Sequence, residues 1–222
     1  MLEGGSEGMK ENSKAAIIEA AVFLFNHNGF NGTSIRDIAK KARTNVANIS
    51  YYFGNKNGLL EHCLTEYYEA YLLEIEKGYS ILENGATESL KAIVENIIYF
   101  QYENIQLTRL IVREMSIDSQ IVREIMSTYL TKERFYFSKV FEKGFKNKEF
   151  RINTANYLIL QLKSLLTMPF LNSQYVAEVL HLLPHEKYFA DKYIRETYTW
   201  IDRVVCSSNQ TRKLKANLLR IL

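Results

Sequence analysis

The sequence predicts an all-α chain, and three observations carry that prediction. Nine of the ten glycines lie within the first 85 residues, and the two prolines are Pro169 and Pro184. Between Ala86 and Met168 Gly144 is the single breaker, which suits long helices better than strands joined by tight turns. Apolar residues recur at helical spacing in segment after segment. A chain of 222 residues, 47% apolar and 24% charged, has ordinary globular composition and enough length for one large or two small domains.

Residues 1–9 are glycine-rich and uncapped, and are read as a disordered tail. The first helix is expected to start near Asn12 or Ser13. Ile17, Ala21, Leu24 and Phe25 give it an apolar stripe, and Gly29 closes it as a left-handed cap. Ser34 and Asp37 have the spacing of a capping box. They open a short second helix whose buried side is Ile35, Ile38, Ala39 and Ala42. A third short helix fits Val46 to Phe53, with Ile49, Tyr52 and Phe53 as packing positions. After the break at Gly54–Gly58, a long helix runs from Leu59 towards Lys77. The expected division is a tail (1–9), a three-helix domain (10–58), a longer helical domain for dimerisation and regulation (59–206) and a basic tail (207–222).

Two short helices joined by a tight turn and braced by a third make a helix-turn-helix. The start of its first helix would offer N–H groups and the hydroxyls of Thr33 and Ser34 to a phosphate. Its second helix carries Asn45, Val46, Ala47, Asn48 and Ser50, small or polar enough to enter a major groove. Asparagine can pair with adenine there, and alanine can touch a thymine methyl. Tyr51, Tyr52 and Lys56 lie where phosphates would pass. Residues 31–60 hold five basic groups (Arg36, Lys40, Lys41, Arg43, Lys56) against Asp37, within a chain of net charge +3.

The run GFNGTSIRDIAKKARTNVANISYYFGNKNGLLEH resembles the N-terminal signature of the TetR family of bacterial regulators. That resemblance implies double-stranded DNA with palindromic sites as the partner, a homodimer, and a C-terminal domain that forms the dimer interface and a ligand cavity. It implies phosphate contacts from Thr33, Tyr51, Tyr52 and Lys56, and base contacts from Arg36, residues 45–48 and Ser50. The sequence departs from the family at Arg43, where a glycine is usual between the two helices. Residues 106–135 and 158–180 are further similar to a subgroup of spore-forming bacilli that regulates the division protein FtsZ. That similarity implies FtsZ as a possible partner and a place at the nucleoid in the cytoplasm.

The last long helix, Glu186 to Cys206, carries a stripe of Phe189, Tyr193, Ile194, Tyr198, Ile201 and Val205, as a dimer-forming helix would. Tyr99, Phe100, Tyr102, Phe135, Phe137, Phe141 and Phe170 could line an effector pocket, although aromatic stripes are more often core. Ile-Val-Arg-Glu occurs at 111–114 and again at 121–124. Arg109, Arg113, Glu114, Arg123 and Glu124 are therefore candidates for a mixed-charge docking surface, with a solvated face of intrahelical ion pairs as the plainer reading. His181 and His185 are separated by Pro184 and lack a third ligand, so no metal site is expected. No catalytic arrangement or phosphate-binding glycine loop stands out; no enzyme and no cofactor is expected. Cys63 and Cys206 cannot build a disulfide framework and suit a reducing cytosol. No apolar run reaches membrane-spanning length. A ligand-released repressor and a helical protein–protein adaptor are the competing readings.

Overall fold

The structure is a computed structural model that describes residues 4–117, 119–151 and 154–207. Helices follow one another as α1 (Gly4–Asn28), α2 (Ile35–Lys41), α3 (Val46–Phe53), α4 (Lys56–Tyr79), α5 (Ala86–Glu103) and α6 (Ile105–Met115). They continue as α7 (Gln120–Ile125), α8 (Thr131–Lys146), α9 (Ala155–Leu171), α10 (Ser173–Glu178) and α11 (Lys187–Trp200). Among the described residues the extended structure is one antiparallel bridge, Phe150 to Cys206. The fold class is all-α. The basic segment expected after Ser207 lies outside the described residues.

The helix α1 begins at Gly4 rather than at Asn12 or Ser13, so it takes in residues read as a tail. Once a helix is nucleated each added residue gains a hydrogen bond, and no proline or turn signal stops it there. Its far end is as expected: Gly29 adopts φ 77°, a conformation that costs glycine little. Likewise α4 starts at Lys56, one turn earlier than expected.

The chain divides into two compact units. The first comprises residues up to Tyr68 together with Gln106–Ile125. Its core joins Ile17, Ala21 and Phe25 of α1, Ile38 and Ala39 of α2, Ile49 and Phe53 of α3, Leu59 and Cys63 of α4, and Leu110 of α6. Each short helix thus contributes two buried residues, and the rest of its surface remains available. Burial pushes the Cys63 thiol up to about 12, which leaves it an inert core group.

The second unit comprises Glu69–Ile105 and the chain from Met126 onwards. Here α5 packs against α8, α9 and α11. A Cβ at Gly78 of α4 would lie 2.5 Å from the Ile93 backbone nitrogen of α5, so glycine is what lets these two helices approach. Glu149, just after α8, caps α5: its carboxylate accepts the N–H groups of Ala86 at 3.1 Å and Thr87 at 2.9 Å. Burial alone would raise this carboxyl, but the N–H donors of Thr87 and Ala86 outweigh it and hold it below the usual range.

Two expectations for this unit are corrected. The α11 stripe, expected to face a second copy, is core of its own unit: Phe189, Ile194, Ile201 and Val205 are buried. The Tyr193 hydroxyl donates to the Leu165 carbonyl of α9 at 2.8 Å, and Tyr198 donates to Glu95 of α5. A cluster of exposed apolar side chains lies on α9 and α10 and just after them (Tyr157, Leu160, Leu171, Tyr175, Val179 and Leu180), while α11 itself exposes Tyr188. The aromatic set proposed for a pocket is split. Phe137, Phe141 and Phe170 are core, Phe135 is exposed, and Tyr99, Phe100 and Tyr102 are half-buried.

Candidate nucleic-acid interface

The first unit presents α2 and α3 as a helix-turn-helix with both helix starts fixed by side chains. Ser34 caps α2 and forms a complete capping box with Asp37. The Ser34 hydroxyl and backbone N–H hold the Asp37 carboxyl below its usual range. Asn45 caps α3, its Oδ1 accepting the Ala47 N–H at 3.0 Å. One turn on, the Asn48 amide donates to Thr44 Oγ1 at 2.8 Å.

On α3 the division of labour is clear. Ile49 and Phe53 point into the core, while Asn45, Val46, Ala47, Asn48, Ser50 and Tyr51 are exposed. Tyr51 is 76% exposed, with its ring edge-on to Tyr52 at 5.1 Å; Tyr52 is half-buried. A large aromatic left in water on a rigid helix lacks a structural reason, whereas it suits a surface that a partner covers. Arg36 and Lys40 are exposed on α2.

Three predicted phosphate ligands also make bonds within the first unit. Thr33 is 2% exposed, and its hydroxyl is held at the Gly29 carbonyl (2.8 Å) and the Leu24 carbonyl (3.2 Å). It ties the α1–α2 turn to the end of α1. Ser34's hydroxyl is spent within the capping box. Lys56 is half-buried, its ammonium donating to the carbonyls of Phe30 at 2.8 Å and Thr33 at 2.9 Å and lying over the Phe30 ring. Two of its three N–H groups therefore brace the loop in front of α2, and one remains for a phosphate. For Thr33 and Lys56 the competing acceptors are backbone carbonyls brought together by the fold, whereas Ser34 is taken up by the local box with Asp37.

The mixed-charge surface is not one open face. Arg113 of α6 turns inward and donates to the Phe25 carbonyl at 2.6 Å and the Asn26 carbonyl at 3.3 Å. A cation there satisfies the last carbonyls of α1 and complements its dipole. Glu114 is 6% exposed; burial raises its carboxyl above the usual range, opposed by Arg113 at 3.7 Å. Arg109 is half-buried, and Arg123 and Glu124 are exposed on α7. Arg113, Glu114 and Glu124 line a cleft of about 700 Å³ together with the loop Asn28–Gly32. Among the described residues no group of three His, Cys, Asp or Glu is placed to hold a metal, and no helix is long and apolar enough to cross a membrane.

Residues 17–63 match the family of bacterial regulatory proteins of the tetR type. Over 197 residues the chain is 49% identical to "Probable HTH-type transcriptional regulator YttP" of Bacillus subtilis, covering 88% of this chain and 95% of that protein. Among solved structures, a regulatory protein of the tetR family from Rhodococcus matches with a TM-score of 0.71 at 19% identity, covering 88% of this chain and 98% of the other. The TetR family transcriptional regulator PfmR from Thermus thermophilus also gives 0.71, at 17% identity, with 85% and 97% covered.

Proposed function

Because this chain belongs to the tetR family of bacterial regulatory proteins, we propose that it is a homodimer that binds palindromic chromosomal DNA sequence-specifically through α3. The observation that carries this reading is the exposed face of α3. Its small and polar side chains, from Asn45 to Ser50, stand on a helix that is capped at one end and anchored by Ile49 and Phe53. Such a face fits a major groove, and Arg36, Lys40, Tyr51 and the spare donor of Lys56 suit the flanking phosphates. One such element reads only a few base pairs, and a two-fold dimer on a palindrome doubles the contact. The exposed apolar side chains of α9 and α10 are the surface we assign to that dimer, in place of α11.

The similarity of residues 106–135 and 158–180 to RefZ, which regulates FtsZ in spore-forming bacilli, supports a finer reading. In it the DNA-bound dimer acts on FtsZ-dependent division during sporulation, through the exposed Arg123 and Glu124. Arg113 is unsuited to that contact because it holds the end of α1.

Selection of bound duplexes from a random pool tests the proposal. A palindromic consensus is the expected result, and lack of enrichment overturns it in favour of a protein–protein adaptor. Consensus sites spread along the chromosome, with division effects lost in Arg123→Glu while DNA binding persists, are expected of the FtsZ reading. A single promoter site, and wild-type division effects in that variant, would overturn it.

A further inference from the structure

The turn between α2 and α3 closes as a Schellman motif. The Thr44 N–H donates to the Ala39 carbonyl at 3.0 Å and the Arg43 N–H to the Lys40 carbonyl at 3.2 Å, the paired bonds that define this helix ending. The motif requires a left-handed residue between them, and Arg43 takes that place with φ 52°. Glycine would occupy it without strain, whereas a Cβ makes it costly. The strained residue is thus set by the hydrogen bonds of the turn, yet its side chain contributes nothing to them.

The Arg43 side chain also lacks a structural use. It is exposed, and among the described residues its guanidinium makes no hydrogen bond, ion pair or ring contact. Its neighbour differs: the Lys41 ammonium sits over the Phe23 ring at 3.5 Å. Arg43 stands two residues before Asn45, the cap of α3, so its charge is carried at the entrance to the exposed helix. Strain retained where a smaller residue would relieve it points to a functional demand, and a guanidinium with all five donors unspent matches a phosphate diester.

We infer that Arg43 is an additional DNA-backbone ligand, which makes the turn itself a phosphate-binding element beside the recognition helix. This rests on the DNA-binding reading of α3. Neutralising one phosphate contributes about 0.9 to the log–log salt slope, and the contact is blind to sequence.

The test uses the full chain as wild type, Arg43→Gly and Arg43→Gln, titrated onto a duplex from the selection and onto a scrambled duplex of the same length at several salt concentrations. Both variants are expected to weaken binding to the two duplexes alike, by roughly 3- to 10-fold at moderate salt, and to flatten the slope by about 0.9. Arg43→Gly should at the same time raise the thermal midpoint by about 2–4 °C, as relief of backbone strain does in a chain of this size, while Arg43→Gln, which keeps the strained backbone, should not. Unchanged affinity and slope in both variants would overturn the inference. So would weakening in Arg43→Gly alone, because turn geometry rather than charge would then be at work. Salt-insensitive binding by the wild type would instead remove the DNA-binding reading itself.

Discussion

Helices α3 and α11 each carry an apolar stripe, and the two stripes teach different lessons. On α3 the stripe is narrow: Ile49 and Phe53 are buried, and the opposite side presents asparagine, alanine, serine and an exposed tyrosine. On α11 the stripe is broad, with Phe189, Ala190, Ile194 and Thr197 buried and tyrosine hydroxyls reaching to α9 and α5. A stripe records that a face is buried but not what buries it. An exposed face of uniform chemistry on an immobilised helix is the more informative feature, since folding alone gives it no role.

The largest effect that would sharpen this contrast is on α11. Ile194→Ala removes a core side chain and should cost about 2–5 kcal/mol of stability, independent of protein concentration in thermal unfolding. If the variant instead became a monomer of unchanged stability, α11 would be an interface after all. Leu160→Asp on the exposed face of α9 should show the reverse in sedimentation: a folded chain that no longer dimerises.

Next comes α3. Asn48→Ala should cost about 1–3 kcal/mol at particular base pairs, read as relaxed preference in a repeated duplex selection. Uniform weakening would mean that Asn48, tethered to Thr44, supports the helix without reading bases.

Glu149→Gln should cost about 1–2 kcal/mol at neutral pH, through weaker bonds to the start of α5. The Glu149 carboxyl titrates below its ordinary value near 4.5 in the folded chain. Its stabilisation is therefore present above that value and lost as pH falls through the lower folded one. The difference between wild type and variant should shrink on acidification, and a difference that grew would contradict the capping role. The smallest stability change belongs to Tyr51→Ala, within about 0.5 kcal/mol for an exposed residue, and yet DNA binding should fall for all sequences.

Much of α2 and α3 was legible because their determinants are local. The Ser34–Asp37 box, the Asn45 cap and the glycine at 29 act within a few residues of themselves, and the sequence shows them directly. The side-chain partners of Thr33, Lys56 and Arg113 were not legible. Each is held by backbone carbonyls of a different segment, and a carbonyl leaves no trace in residue type. Glu149 escaped notice for the same reason: its donors are N–H groups of residues 62 and 63 positions earlier. The α11 stripe was seen correctly as buried but assigned to the wrong neighbour, because periodicity carries no information about whether the covering surface belongs to the same chain. The strained Arg43 could be suspected from a missing glycine, but its unspent guanidinium could be seen only in the fold.

The salt dependence of binding to the selected duplex tests the central claim most directly. Fluorescence anisotropy with the intact chain should give log affinity falling linearly with log salt, with a slope steeper than −0.9 because each phosphate neutralised adds about −0.9. A flat dependence with weak binding would contradict the assignment of α3 and its basic surroundings to DNA.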